Sequence, residues 1–150
     1  LYLAADPFIN SNVKCIKQIL KNNLTNIKIW PDDIRKIIDL FPLKSISEIK
    51  LLFPDPWPKL KHQNRRLIQT DFINSIYKIL KIKGTITVGT DHTILKSWIL
   101  EMFQANLKFD WQVQDSKDWR TRPKECFATK YEEKSLREKR KPSWFVFSKK

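Results

Sequence analysis

Two hydrophobic periods alternate along this chain, and that alternation restricts it to few architectures. Apolar runs at Leu1 to Ala5, Asn26 to Trp30, Ser45 to Phe53, Thr85 to Thr90, Phe109 to Val113 and Ser143 to Phe147 have the length and residue types of strands. Between them, apolar residues recur at helical spacing: Val13, Ile16, Ile19, Leu20; then Ile34, Ile37, Ile38, Phe41; then Leu67, Ile68, Phe72, Ile76, Ile79, Leu80; then Ile94, Leu95, Trp98, Ile99, Met102, Phe103. Strand and helix in turn predict an α/β fold with a doubly wound, mostly parallel sheet. The helix from Leu67 is expected to stop at Lys81 to Gly84, and a further helix is expected over Tyr131 to Arg140. With 150 residues, the chain is expected to form one domain.

Several of these strands end in an acidic residue. Asp6 follows the first, Asp33 the second and Asp91 the fourth, each where ligands bind in open α/β sheets; for Asp6 and Asp33 helix capping is the competing expectation. The third ends differently. Phe53-Pro54-Asp55-Pro56-Trp57-Pro58 places prolines at alternate positions, and each disfavours the helical region for the residue before it, so Phe53, Asp55 and Trp57 are expected to be extended. The product is a stiff bracket offering one carboxylate and one indole, followed by Lys59, Lys61, His62, Arg65 and Arg66. A purine nucleotide suits such a surface; a proline-rich turn that covers the core, or a polyproline ligand, is the competing reading.

Charge narrows the partner. The chain carries a formal +13 with a pI near 9.8, which favours a polyanion through phosphate neutralisation. Residues 117–141 hold ten Lys or Arg against five Asp or Glu, with Trp119, Phe127 and Tyr131 among them. That pattern suits phosphate contact with base stacking, and equally a solvated helix laced with ion pairs. No long apolar span indicates a membrane. Cys15 and Cys126 have no metal-ligand or redox spacing, and His62 and His92 join no cluster, so a reduced, cytoplasmic protein without a metal is expected. The only glycines are Gly84 and Gly89, so there is no glycine-rich phosphate loop.

Read in series, Phe53-Pro54-Asp55-Pro56-Trp57-Pro58-Lys59 with His62 to Arg66, then Gly89-Thr90-Asp91, then Thr129-Lys130-Tyr131-Glu132 resemble the bacterial tRNA (guanine-N7-)-methyltransferase family over almost the whole chain. The resemblance implies the class I methyltransferase form of the Rossmann-like sheet, S-adenosylmethionine as cofactor and tRNA as partner. By position it implies cofactor contacts at Asp6 (where the family usually has Glu), Asp33 and Asp55, with Asp55 also at the reacting guanine as the catalytic carboxylate. It implies substrate contacts at Lys59, Asp91, Thr129, Lys130, Tyr131 and Glu132. Lys61, Arg65 and Arg66 are expected to hold the tRNA backbone, and Trp57 to stack on the purine.

The family also begins with a strand, a glycine-bearing turn and a helix that have no counterpart here, and its first strand lies centrally in the sheet. The sequence is therefore expected to be a fragment of a longer enzyme or the product of a decayed reading frame, its sheet interrupted between the first and third strands. Two functions follow: a tRNA (guanine-N7-)-methyltransferase, or a non-catalytic tRNA-binding remnant or partner subunit. A methyltransferase acting on protein or a small metabolite is disfavoured by the clustered basic residues. The sequence leaves the oligomeric state open.

Overall fold

The computed structural model describes residues 1–150, which divide into two compact units, Leu1–Phe41 and Pro42–Lys150. The first unit contains β1 (Tyr2–Ala5), α1 (Ile9–Lys21) and β2 (Ile27–Trp30), with β1 and β2 paired in parallel. The second contains β3 (Ile46–Leu52), α2 (Thr70–Ile79), β4 (Leu80–Thr90), α3 (Thr93–Gln104), β5 (Phe109–Trp111), α4 (Lys130–Arg137) and β6 (Ser143–Lys149). Its four strands lie in the order β3-β4-β6-β5. The β3–β4 pair is parallel, and β6 runs antiparallel to both β4 and β5. The architecture is α/β, as the alternating periods predict. The strands form two sheets rather than one, with an edge of β1 and an edge of β3 unpaired.

The core of the second unit is aromatic. Trp144 and Phe145, on opposite faces of β6, are each 1% exposed, so both faces of that strand are covered. Phe147 stacks on Phe103 of α3 at 4.0 Å between ring centroids, and Phe109 meets Phe103 edge-on at 5.4 Å. Ile73, Ile76 and Ile79 of α2 and Ile86 and Val88 of β4 complete it. Gly89 has a packing role. A Cβ there would stand 2.8 Å from the Trp144 ring, so only a bare backbone lets the indole lie against β4.

Four local expectations are corrected. The periodic stretch from Ile34 to Phe41 is two 3-10 turns, Ile34–Lys36 and Ile38–Leu40; Pro42 draws Phe41 into extended backbone and closes the stretch there. The α2 helix ends at Ile79 and passes directly into β4, so Gly84 is not its stop. Lys83, not a glycine, takes the positive φ nearby, at 60°. The last helix spans Lys130–Arg137, shorter than expected. Phe53 and Trp57 are not extended: their φ values are 55° and 39°. The amide of Phe53 donates to the Gly89 carbonyl at 2.8 Å, and its ring packs against Tyr131 and Trp144; these tertiary contacts override the local preference of a residue before proline.

Candidate nucleotide and RNA site

In the second unit, the three motifs singled out in the sequence come together at the carboxyl ends of β3 and β4. The bracket begins at Phe53, tied to β4 through the Gly89 carbonyl. Tyr131, on the first turn of α4, stacks on Phe53 with centroids 6.4 Å apart and rings inclined by 19°. Trp144 meets Phe53 edge-on at 5.8 Å. Asp91, just past β4, is bound by Arg140 at 2.6 Å, and the Arg140 amide donates to the Ser135 carbonyl of α4. Segments far apart in sequence thus share one corner of the sheet.

Within that corner the predicted residues differ in availability. Asp55, Lys59, Lys61, Arg65, Lys130 and Tyr131 are exposed. Thr129 caps α4, its hydroxyl accepting the Glu132 amide at 3.1 Å. Glu132 is 7% exposed and paired with Arg122 at 2.7 Å, so it anchors α4 from inside. Asp91 is half-buried, and Lys96 beside it donates to the Lys141 carbonyl at 2.6 Å; burial pushes the Lys96 ammonium below its ordinary pKa, with the Asp91 charge opposing.

The basic tract is not uniform. Arg65 lies over the Trp57 ring at 5.0 Å, and His62 meets the same ring edge-on at 5.7 Å. One face of the indole expected to stack on a purine is therefore already occupied by a guanidinium. Arg66 differs most from the expectation. It is 4% exposed, with its guanidinium directed at backbone carbonyls inside the unit, which leaves it no surface for a phosphate. Two of the three aromatics in the basic segment also separate: Phe127 is 89% exposed, whereas Trp119 stacks on Phe145.

In the first unit, Asp6 and Asp33 are both organised by Trp30. The Asp6 amide donates to the Trp30 carbonyl at 3.2 Å, and the Trp30 indole donates to the Asp33 carbonyl at 3.0 Å. Asp6 Oδ1 accepts the Phe8 amide, a turn that leaves Oδ2 available. Asp33 is more committed. It caps the turn at Ile34 and accepts from the Arg35 guanidinium on both oxygens. The Arg35 guanidinium holds the Asp33 carboxyl below its ordinary pKa, against the opposing effect of partial burial. Its capping role is the one weighed against ligand binding in the sequence.

Arg140, Arg122 and Trp98 also contribute here, and the sequence marked them only as members of a basic segment or an apolar helix face, not by these roles. Each acts through a contact distant in sequence or through burial, which periodicity does not report. No group of three or more His, Cys, Asp or Glu is placed to hold a metal ion, and no helix is long and apolar enough to cross a membrane.

The second unit thus combines a parallel strand pair and an antiparallel closing strand with Asp55, Asp91 and a proline-rich bracket at the strand ends. Residues 1–144 match the family described as "Putative methyltransferase", and the chain belongs to that family. Among curated proteins, it is 35% identical to the tRNA (guanine-N(7)-)-methyltransferase of Bartonella quintana and 34% identical to that of Rhodospirillum rubrum, over 99% and 97% of its own length. It spans 65% and 57% of the length of those two relatives. Among solved structures, it superposes on a "putative methyltransferase" of Streptococcus mutans in complex with SAH with a TM-score of 0.61 at 15% identity, covering 99% of this chain and 75% of that one. A methyltransferase homologue of Pyrococcus horikoshii gives 0.63 at 12% identity, covering 99% and 53%. These structures establish a shared fold.

Proposed function

We propose that residues 1–150 belong to a single methyltransferase domain that transfers a methyl group from S-adenosylmethionine to N7 of a guanine in the variable loop of tRNA, in the cytoplasm. The observation that carries this reading is the meeting of the Asp55 bracket, Asp91 and the Thr129–Glu132 turn at one corner of the sheet, beside exposed Lys59, Lys61 and Arg65. The names of the Bartonella and Rhodospirillum relatives support the substrate.

The cofactor fits these residues unevenly. Asp6, with one carboxylate oxygen available just past β1, suits a ribose hydroxyl donor. Asp33 can meet an adenine only in competition with Arg35. Asp55, exposed, suits the junction of cofactor and base. When bound, S-adenosylmethionine supplies an electrophilic sulfonium methyl.

The chain's own residues then have a limited task. Guanine N7 is an unprotonated acceptor with an in-plane lone pair, so an N7–carbon bond can form as the sulfur–carbon bond breaks, its electron pair going to sulfur. No proton has to leave first, and no general base is needed. What remains is orientation and electrostatics. The Asp55 carboxylate, an acceptor only, suits the N–H donors of guanine and offsets the positive charge that develops on the base. Lys59, Lys61, Arg65 and Lys130 hold the phosphates, and Tyr131, backed by Phe53, offers an aromatic face.

The test is transfer of labelled methyl from S-adenosylmethionine to unmodified tRNA by the native protein that contains this chain. Asp55→Ala is expected to abolish transfer while leaving most salt-dependent tRNA binding. Binding without transfer by the unmutated protein would identify a tRNA-binding relative that has lost catalysis. Transfer unimpaired by Asp55→Ala would remove Asp55 from the chemistry.

A further inference from the structure

Two adjacent arginines in the basic tract have opposite environments. Arg65 is exposed, whereas Arg66 is 4% exposed and pairs with no carboxylate. Its Nε donates to the Pro56 carbonyl at 3.2 Å and to the Trp57 carbonyl at 3.3 Å, and its Nη2 donates to the Trp57 carbonyl at 3.2 Å. The guanidinium carbon lies over the Trp98 ring of α3, 4.7 Å from its centroid, and the Trp98 indole is itself fixed by donating to the Ile68 carbonyl at 2.7 Å. Gln69 closes the loop by donating to the carbonyls of Gln63 and Arg66.

Burying a cation without a counter-charge is unfavourable, and an apolar side chain of similar size would fill the same space more cheaply. What the apolar side chain could not do is hold two carbonyls. Those carbonyls follow Asp55 directly, and Trp57 sits at φ 39°, a conformation an aromatic residue does not hold unaided. The other end of the bracket is pinned at Phe53 by the Gly89 carbonyl. Asp55 therefore sits on a short proline-stiffened span fixed at both ends, to β4 on one side and, through Arg66 and Trp98, to α3 on the other.

We propose that Arg66 is a positioning residue for Asp55: its buried guanidinium, clamped on the Pro56 and Trp57 carbonyls and set over the Trp98 ring, fixes the bracket that presents the carboxylate. Its effect on methyl transfer rests on the function proposed above; its effect on the bracket does not.

The experiment compares Arg66→Met, Arg66→Lys and Arg65→Ala in the native protein. Hydrogen exchange is followed at the Phe53 and His62 amides, which donate to the Gly89 and Lys59 carbonyls on either side of the bracket, tRNA binding is measured across salt concentrations, and methyl transfer is resolved into kcat and KM. In Arg66→Met these two amides are expected to exchange about tenfold faster or more while α2 and β4 keep their protection. Its tRNA salt slope should stay unchanged, whereas Arg65→Ala lowers that slope by about one unit. Its kcat should fall about a hundredfold with KM for tRNA little altered, the cost of a misplaced group. Arg66→Lys, which keeps a charge and donors but not the planar fork, should recover part of the bracket's protection, and it gives the reading if Arg66→Met does not fold. A reduced salt slope in either Arg66 variant would make this residue a phosphate contact and overturn the proposal. So would unchanged bracket exchange, or exchange accelerated equally throughout residues 42–150. If the unmutated protein transfers no methyl, the function falls, and the exchange and salt measurements still decide the role of Arg66.

Discussion

Residues 1–41 and 42–150 carry the same alternation of strand and helix, yet they bury their apolar faces very differently. In the first unit Ile38 is the one buried hydrophobic residue; all four residues of β1 are exposed, and Ile9, Val13, Ile16 and Leu20 of α1 remain open to solvent. In the second, a four-stranded sheet buries Trp144, Phe145, Phe147, Phe103 and a set of branched aliphatics almost completely. The periods are equally clear in both. A period states which face of an element is apolar. Whether that face is covered depends on how many layers meet it, and two paired strands with one helix offer too little.

The comparison can be broken first at Trp144. Trp144→Ala is expected to destabilise residues 42–150 by about 3–5 kcal/mol through the cavity it leaves, whereas Leu20→Ala on α1 should change stability by less than about 0.5 kcal/mol, read from urea denaturation. Equal losses would mean that exposure does not distinguish the two units. Next in size is Gly89→Ala, where the added methyl must displace the Trp144 ring; a loss of about 1–3 kcal/mol is expected. Trp144→Phe should relieve much of it, and failure of that rescue would assign the strain to the backbone.

The smallest effect lies in the first unit, at Asp33. Its carboxyl is held below the ordinary value chiefly by the Arg35 side chain, so the folded state binds fewer protons there than the unfolded chain. Its contribution to stability is present above the unfolded value and is lost as pH falls through the lower folded value. A carboxyl titration by NMR should place Asp33 below the reference value of 3.8. Arg35→Ala should return it toward that reference. A midpoint unmoved by Arg35→Ala would show that the ion pair is not the cause.

Much of this was legible in the sequence, for reasons that can be named. The α/β class, most of the strands and α3 follow from apolar spacing, and the bracket follows from three prolines. The corner shared by Asp55, Asp91 and Tyr131 was indicated only through motif resemblance, because contacts such as Phe53 with Tyr131 join positions that no local pattern connects. Arg66 departs from its expected exposure for a related reason. Beside Arg65 it reads as the same kind of residue, and only the packing of Trp98 beneath it turns one arginine inward and leaves the other out. The positive φ values at Phe53 and Trp57 are likewise set by tertiary partners, against the rule for residues before proline.

The strand order has a consequence for the time course of folding. The β5 strand pairs only with β6, and β4 has β6 on the side away from β3, so Thr85 finds its partner at Ser148 and Phe109 at Lys149. On the ribosome, α2, β4, α3 and β5 all emerge before the segment that joins them into a sheet, and until Ser143–Lys149 follows, the β4 edge beneath Trp144 has no neighbour. Closure is thus a late, long-range step, paid for in loop entropy before any of its contacts are gained. During synthesis the nascent chain presents that bare apolar edge to chaperones, and to other copies of itself, for as long as β6 takes to arrive.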